Sequence, residues 1–369
     1  MNRWVPQSTG VSDGVSARVR TSQVLFENRR YDEAAVEARK VLEMDPRSPI
    51  GHSMLARICI VQGNFDEALE ECNKATESNP RHADTRFLRA HIYHRKGLPA
   101  QAITGYREAL ALRPTYTEAR ISLAQIYKEL GRMEEARDEL AKALEEKPDL
   151  LAGHLLIAEI DLGQGDTEAA LESARKASAL NPHLPRGHYL IGSCLMAMEL
   201  FEEAGKAFDQ AVALNPVEIV APLARSANLL EQSRLDEALV SCDEALRIQP
   251  GFPGAVALRG MILLEKNRPL EAIHALQQAL KHAPGSARIR YQLGRAYHRL
   301  GQKLEAETNY REALRMDPLL GEAHTALGHL QAEDGSEEEA LASFGRALAI
   351  TPGSPEGSGT SNGSASWFH

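Results

Sequence analysis

Aromatic residues are scarce in this chain: Phe, Trp and Tyr together make 5% of 369 residues, although 43% are hydrophobic. Ala and Leu must therefore fill most of any core, which suits closely packed helices better than a sandwich of sheets. Cysteine is scarce too. Cys59, Cys72, Cys194 and Cys242 form no Cys-x-x-Cys pair and show no zinc spacing. No stretch reaches eighteen uninterrupted apolar residues, and even LLAGHLLIAEI carries His154 and Glu159, so no membrane span is expected. The opening MNRWVPQSTGVSDGVS lacks the apolar core of a secretory signal. Positive charge is in deficit, and the formal net charge of −9 disfavours an unaided grip on nucleic-acid phosphates. These absences predict a soluble protein of a reducing compartment, with the cytoplasm as the default.

What the chain does have is a period. Prolines stand at 46, 80, 114, 148, 182, 216, 250, 284, 318 and 352, and every interval is thirty-four residues. Other columns keep the same register. Twelve residues before each proline stands Ala, from Ala34 to Ala340. Five before, the column holds Val41 and then nine alanines. Twenty-four before it reads Ser22, Ala56, Ala90, Ala124, Ala158, Gly192, Ser226, Gly260, Gly294 and Gly328. A position that never exceeds Val in ten copies predicts close approach of two backbones.

Each unit splits into two helical patterns. In the fourth copy, TEARISLAQIYKEL places Ala119, Leu123, Ile126, Tyr127 and Leu130 at helical spacing. Gly131 ends that helix, EEARDELAKALEE opens the next with an acidic first turn, and Pro148 stops it. Pro99 and Pro269 fall at the start of second helices, where proline is tolerated.

These columns resemble the tetratricopeptide repeat, and YREALALRPTYTEARISLAQIYKELG (106–131) shows the likeness best. The resemblance covers about 15–352 and implies an all-α fold, a right-handed superhelix of ten stacked antiparallel helix pairs with first helices lining a concave side. Segments 1–14 and 353–369 lie outside the period; they are polar or Gly/Ser-rich, and disorder is the expectation for both, although Trp367 and Phe368 could dock on the last unit. One departure is visible. Where the family often has Trp, twenty-eight places before the proline, this chain has mostly Arg and His, whose stems can pack while their heads reach polar surroundings.

Signs of catalysis are absent. There is no HExxH, GxSxG, P-loop or GxGxxG between strand and helix. His91 and His94 lie one helical turn apart, but without a third ligand they read as a surface pair. Cys72, Cys242 and Cys59 share columns with Tyr and Phe and read as small core fillers; Cys194 is less clear. No catalytic residue, metal or cofactor is expected.

The resemblance implies that partners meet the concave face, at columns thirty, twenty-seven, twenty-three, twenty and nineteen places before each proline. In units five to eight these columns are apolar: Leu162, Met196, Leu230 and Leu264 in one row, with Leu155, Tyr189, Leu223 and Met261 beside them. An exposed row of that kind would mark a partner site. Units three and nine are cationic there, with His91, His94 and Arg95, and with Arg288, Tyr291, Arg295, His298 and Arg299. Such clusters would suit the carboxylates of an acidic or amphipathic peptide. The column that would carry the first Lys of a chaperone-binding carboxylate clamp contains no Lys, which argues against that type of co-chaperone. Helical RNA-binding repeats usually have a period of thirty-five, and the acidic balance also opposes nucleic acid as a partner. The expected function is a non-catalytic protein–protein interaction scaffold. The alternatives are self-association through an uncapped end, or a targeting or regulatory subunit for an enzyme on another chain.

Overall fold

The computed structural model describes residues 10–350, with side chains from residue 14. Twenty helices and no strand are found among the described residues. The chain divides into two compact units, residues 1–160 and 161–369. The first holds α1 (Gly10–Glu27), α2 (Tyr31–Met44), α3 (Pro49–Gln62), α4 (Phe65–Ser78), α5 (Ala83–Arg95), α6 (Pro99–Leu112), α7 (Thr117–Glu129) and α8 (Met133–Glu146). The division falls inside α9 (Leu151–Gln164). The second continues with α10 (Thr167–Leu180), α11 (Pro185–Ala197), α12 (Phe201–Leu214), α13 (Val220–Glu231), α14 (Leu235–Ile248) and α15 (Pro253–Glu265). It ends with α16 (Pro269–His282), α17 (Ala287–Arg299), α18 (Lys303–Met316), α19 (Gly321–Glu333) and α20 (Glu337–Ile350). Within each unit an odd helix packs on the even helix after it, and each pair packs on the next. The all-α array of helix pairs expected from the period is the fold observed. Helix α1 begins at Gly10, inside segment 1–14. The possible docking of Trp367 and Phe368 lies outside the described residues.

The small columns sit where helices touch. Every residue twelve and twenty-four places before a proline is buried. Sequence reading saw these columns one at a time; the structure shows that they are matched with a third. Where column twenty-four is glycine, the residue sixteen places later is large. A Cβ on Gly192 would lie 2.6 Å from the Phe208 ring, and one on Gly294 would lie 2.6 Å from the Tyr310 ring. Where column twenty-four is serine, the later residue is small (Ala38, Cys242), and the hydroxyls of Ser22 and Ser226 each donate to a helix carbonyl at 2.8 Å. A buried hydroxyl without such an acceptor would be costly.

In repeats two to six and in repeat ten, the Arg or His of column twenty-eight ties its pair to the turn before it. The Nε2 atoms of His154 and His188 lie 2.8 Å from the carbonyls of Pro148 and Pro182, and Arg120 Nη2 donates to the Pro114 carbonyl at 2.9 Å. Several in this column reach a glutamate on the second helix: Arg18 to Glu37 at 2.7 Å, His52 to Glu71 at 2.6 Å and Arg120 to Glu139 at 2.8 Å. Burial pushes the Glu71 carboxyl up, but hydrogen bonds from Lys74 and His52 outweigh it and hold it below its ordinary value. The polar heads therefore serve as local staples.

The turn inside each pair is left-handed at one fixed place. Gly63, Gly97, Gly131, Gly165, Gly301 and Gly335 have positive φ there, as do Arg29, Glu199, Ser233 and Asn267. A side chain in this conformation costs about 1–2 kcal/mol, least for Asn. Glu199→Gly should therefore raise stability by about 0.5–1 kcal/mol, since greater freedom of the unfolded chain returns part of the gain. Asn267→Gly should change stability less. Equal shifts of the two urea midpoints would contradict this account.

Candidate functional site

In the first unit, the inner columns of the first four repeats enclose a cleft of about 550 Å³. Val19 and Phe26 come from α1, Met54 and Arg57 from α3, Asp84 and Phe87 from α5, and Glu118 from α7. Helical periodicity puts these residues on one side of their helices, since positions three, four and seven apart share a face. Columns thirty, twenty-seven, twenty-three and twenty thus do line a cleft. It lies four repeats earlier than the apolar row of units five to eight.

The floor is aromatic and the walls are polar. The Phe87 ring centroid is 5.5 Å from Tyr106 and 5.1 Å from Tyr116, which fixes the ring without covering it. Arg113 grips Asp84 with two hydrogen bonds, at 3.1 and 2.9 Å, and the Tyr116 hydroxyl donates to the same carboxylate at 2.8 Å. Burial pushes the Asp84 carboxyl up, yet the Arg113 and Tyr116 hydrogen bonds outweigh it and hold the group below its ordinary value. Burial, and then the charge and hydrogen bond of Asp84, pushes the Tyr116 phenol up. This wall neutralises itself. Arg57 differs: its guanidinium lies 5.1 Å over the Phe26 ring, and among the described residues it makes no ion pair. Glu118, at the far end of the cleft, likewise makes none among the described residues. The cleft therefore offers an aromatic floor between one open cation and one open anion.

The apolar row of units five to eight is not a continuous exposed stripe. Leu155, Met196, Leu223 and Leu264 are buried, Leu264 completely. Leu264 belongs to the core around Leu263, Leu276 and Leu293, and Met196 packs in the cluster of Phe208. Leu162, Tyr189, Leu230 and Met261 are half-buried and keep part of their surface open. The physical reason is that columns twenty-seven and twenty lie at the seam between neighbouring inner helices. Where the next inner helix stands close, as at Leu155, Met196, Leu223 and Leu264, a large apolar side chain fills the seam instead of facing outward.

The cationic positions do come together, but with carboxylates from neighbouring repeats. His94 Nε2 is 2.8 Å from Glu129, and His298 Nε2 is 3.2 Å from Glu333, the same geometry in two units. Arg295 and Arg299 both bind Glu265 at 2.9 Å, and Arg299 also donates to the Leu264 carbonyl. Arg95 lies 5.6 Å over the Phe65 ring. His91 is half-buried beside the Tyr106 hydroxyl, and burial, then His94 and Arg95, pushes its pKa down. Tyr291 packs 6.0 Å from Tyr310, and Arg288 is half-buried. An acidic ligand at these clusters would have to displace Glu129, Glu265 or Glu333. Sequence reading missed the N-terminal cleft because it weighed runs of one chemistry. The available signal was Phe26, Arg57 and Phe87 standing at inner columns of three successive units.

All four cysteines are free and buried. Burial pushes the Cys59 thiol up to about 11 and those of Cys72, Cys194 and Cys242 up to about 12. Cys194 stands in a column that holds Ile in five other repeats, and it is completely buried in the cluster of Phe208, as a core filler would be. Among the described residues no group of three or more His, Cys, Asp or Glu is placed to hold a metal ion, and no helix is long and apolar enough to cross a membrane.

Two family models, each described as tetratricopeptide repeat, match the chain: one over residues 25–92, 93–160 and 161–224, the other over 258–318 and 299–355. Among curated protein sequences, none matches. Solved structures share the fold. Yeast Tom70 is 16% identical with a TM-score of 0.50, covering 92% of this chain and 93% of its own. A tetratricopeptide repeat protein from Parabacteroides merdae is 16% identical with a TM-score of 0.58, covering 68% of this chain and 98% of its own. The APC/C hetero-tetramer Cut9-Hcn1 is 14% identical with a TM-score of 0.53, covering 93% of this chain and 95% of its own.

Proposed function

Because the chain belongs to the tetratricopeptide repeat family, we infer that it is a non-catalytic interaction scaffold holding a segment of a partner protein against its inner columns. The observation that carries this reading is the cleft of about 550 Å³ across the first four repeats. Its chemistry suits a segment with an apolar or aromatic anchor over Phe26, Met54 and Phe87. An acidic side chain would meet Arg57, and a basic one would meet Glu118. Pairing with Arg57 is favoured because its guanidinium is already stacked on Phe26, so less conformational freedom is lost on binding. In the second unit Leu162, Tyr189, Leu230 and Met261 would offer an apolar contact of their own, and the cations of repeats three and nine would meet an acidic or amphipathic partner where it displaces Glu129, Glu265 or Glu333. The four buried thiols fit a reducing compartment, and the cytoplasm is the location proposed.

Peptides selected from a random displayed library on the full chain provide the test. Arg57→Glu is expected to weaken them at least tenfold, about 1.4 kcal/mol, with the melting temperature unchanged because Arg57 is exposed. Selected peptides that bind Arg57→Glu as well as the unmodified chain would show that the cleft is not the seat.

A further inference from the structure

The last described helix, α20, leaves an apolar stripe open. In interior repeats the residue eleven places before the proline is covered by the following pair, and Ile103, Leu171 and Ile273 are all buried. The residue four places before it is covered too. A Cβ on Gly51 of α3 would meet Leu42 of α2 at 2.8 Å. The same two columns of α20 hold Leu341 and Leu348, which are 71% and 61% exposed. No described helix follows α20 to cover them. Gly345 lies between them on the same helical stripe, with no atom within 4 Å of where its Cβ would stand.

We propose that this stripe seats the same stripe of a second copy, forming a closed two-fold dimer through antiparallel α20 helices. Register supports it. The midpoint between Leu341 and Leu348 falls beside Gly345, so a two-fold axis there sets each Leu341 against the partner's Leu348. The glycines then let the two backbones approach at the crossing. Charge selects the direction. Glu337, Glu338 and Glu339 form the first turn of α20, and antiparallel pairing keeps the two triads about 20 Å apart at opposite ends of the contact. That distance exceeds the Debye length of about 8–10 Å, whereas parallel pairing would put six carboxylates side by side.

The other end of the chain argues against head-to-tail stacking. Helix α1 presents Ala17, Arg20, Thr21 and Val24, all exposed, in columns that in α11 hold Gly187, Leu190, Ile191 and Cys194. Docking α1 on α20 would bury Arg20 and Thr21 against leucines. A two-fold contact instead buries like against like and ends assembly at two copies.

Sedimentation equilibrium over a concentration series tests this. The unmodified chain is expected to pass from 40.5 kDa to a plateau at twice that mass. Leu341→Glu with Leu348→Glu is expected to stay at 40.5 kDa with unchanged helicity, since both side chains are exposed in the single chain. Under mild oxidation Gly345→Cys should give a cross-linked dimer, and Leu304→Cys, 78% exposed on α18, should not. The proposal is overturned by a chain that stays monomeric at every concentration, by mass that grows without a plateau, or by a double variant that still dimerises. It is also overturned if dimers form only after residues 351–369 are deleted, because that segment would then be covering α20 itself.

Discussion

Leu264→Glu is expected to destabilise the chain by about 4 kcal/mol or more, while Leu230→Glu costs about 1 kcal/mol. The two leucines occupy the same column of consecutive repeats. Leu264 is completely buried in the core with Leu263, Leu276 and Leu293, so a carboxylate there has neither water nor a partner. The next inner helix adds to the cover, since Arg299 of α17 reaches back to the Leu264 carbonyl and to Glu265. Leu230 is half-buried, and a glutamate there can turn its head to solvent. Urea denaturation followed by circular dichroism separates the cases. A loss for Leu264→Glu as small as that for Leu230→Glu would mean that Leu264 faces solvent, and its assignment to the seam would be wrong.

The second large effect concerns the matched glycines. Gly192→Ala adds helix propensity worth about 1 kcal/mol, but its methyl would stand 2.6 Å from the completely buried Phe208 ring. A packed ring cannot yield by that much, so overpacking of about 1–3 kcal/mol should win and the variant should be less stable. Phe208→Ala alone should cost about 3–5 kcal/mol through the cavity it leaves. Because the two positions share one space, Gly192→Ala should be better tolerated with Phe208→Leu than with Phe208 in place. A double-mutant cycle measures this. Additive costs would show that column twenty-four and the residue sixteen places later are not matched.

The fold was legible because its evidence is repeated. Ten prolines in one register, with three small columns, leave a single packing solution, and helix boundaries followed from local chemistry such as Pro99 at the first position of α6 and Pro269 at that of α16. The site was less legible. Columns assigned to the inner face do line the cleft at Phe26, Arg57 and Phe87, yet the same columns bury Leu223 and Leu264. A column says which way a Cβ leaves its helix. It does not say how near the next helix stands, and that distance decides whether an apolar side chain becomes core or contact surface. The cations show the same limit. His94, His298, Arg295 and Arg299 were visible as positive charge, but their carboxylates lie thirty to thirty-five residues away and meet them only when repeats stack.

The amino-acid sequence by itself determined the period, the helix pairs, the turns and the family, because these depend on residues close along the chain and recur ten times. Tertiary structure alone decided which inner residues stay open, which glycine accommodates which ring, and which charges are already spent on one another. Those outcomes depend on the separation of neighbouring helices, which every side chain in a seam sets jointly and no single column encodes.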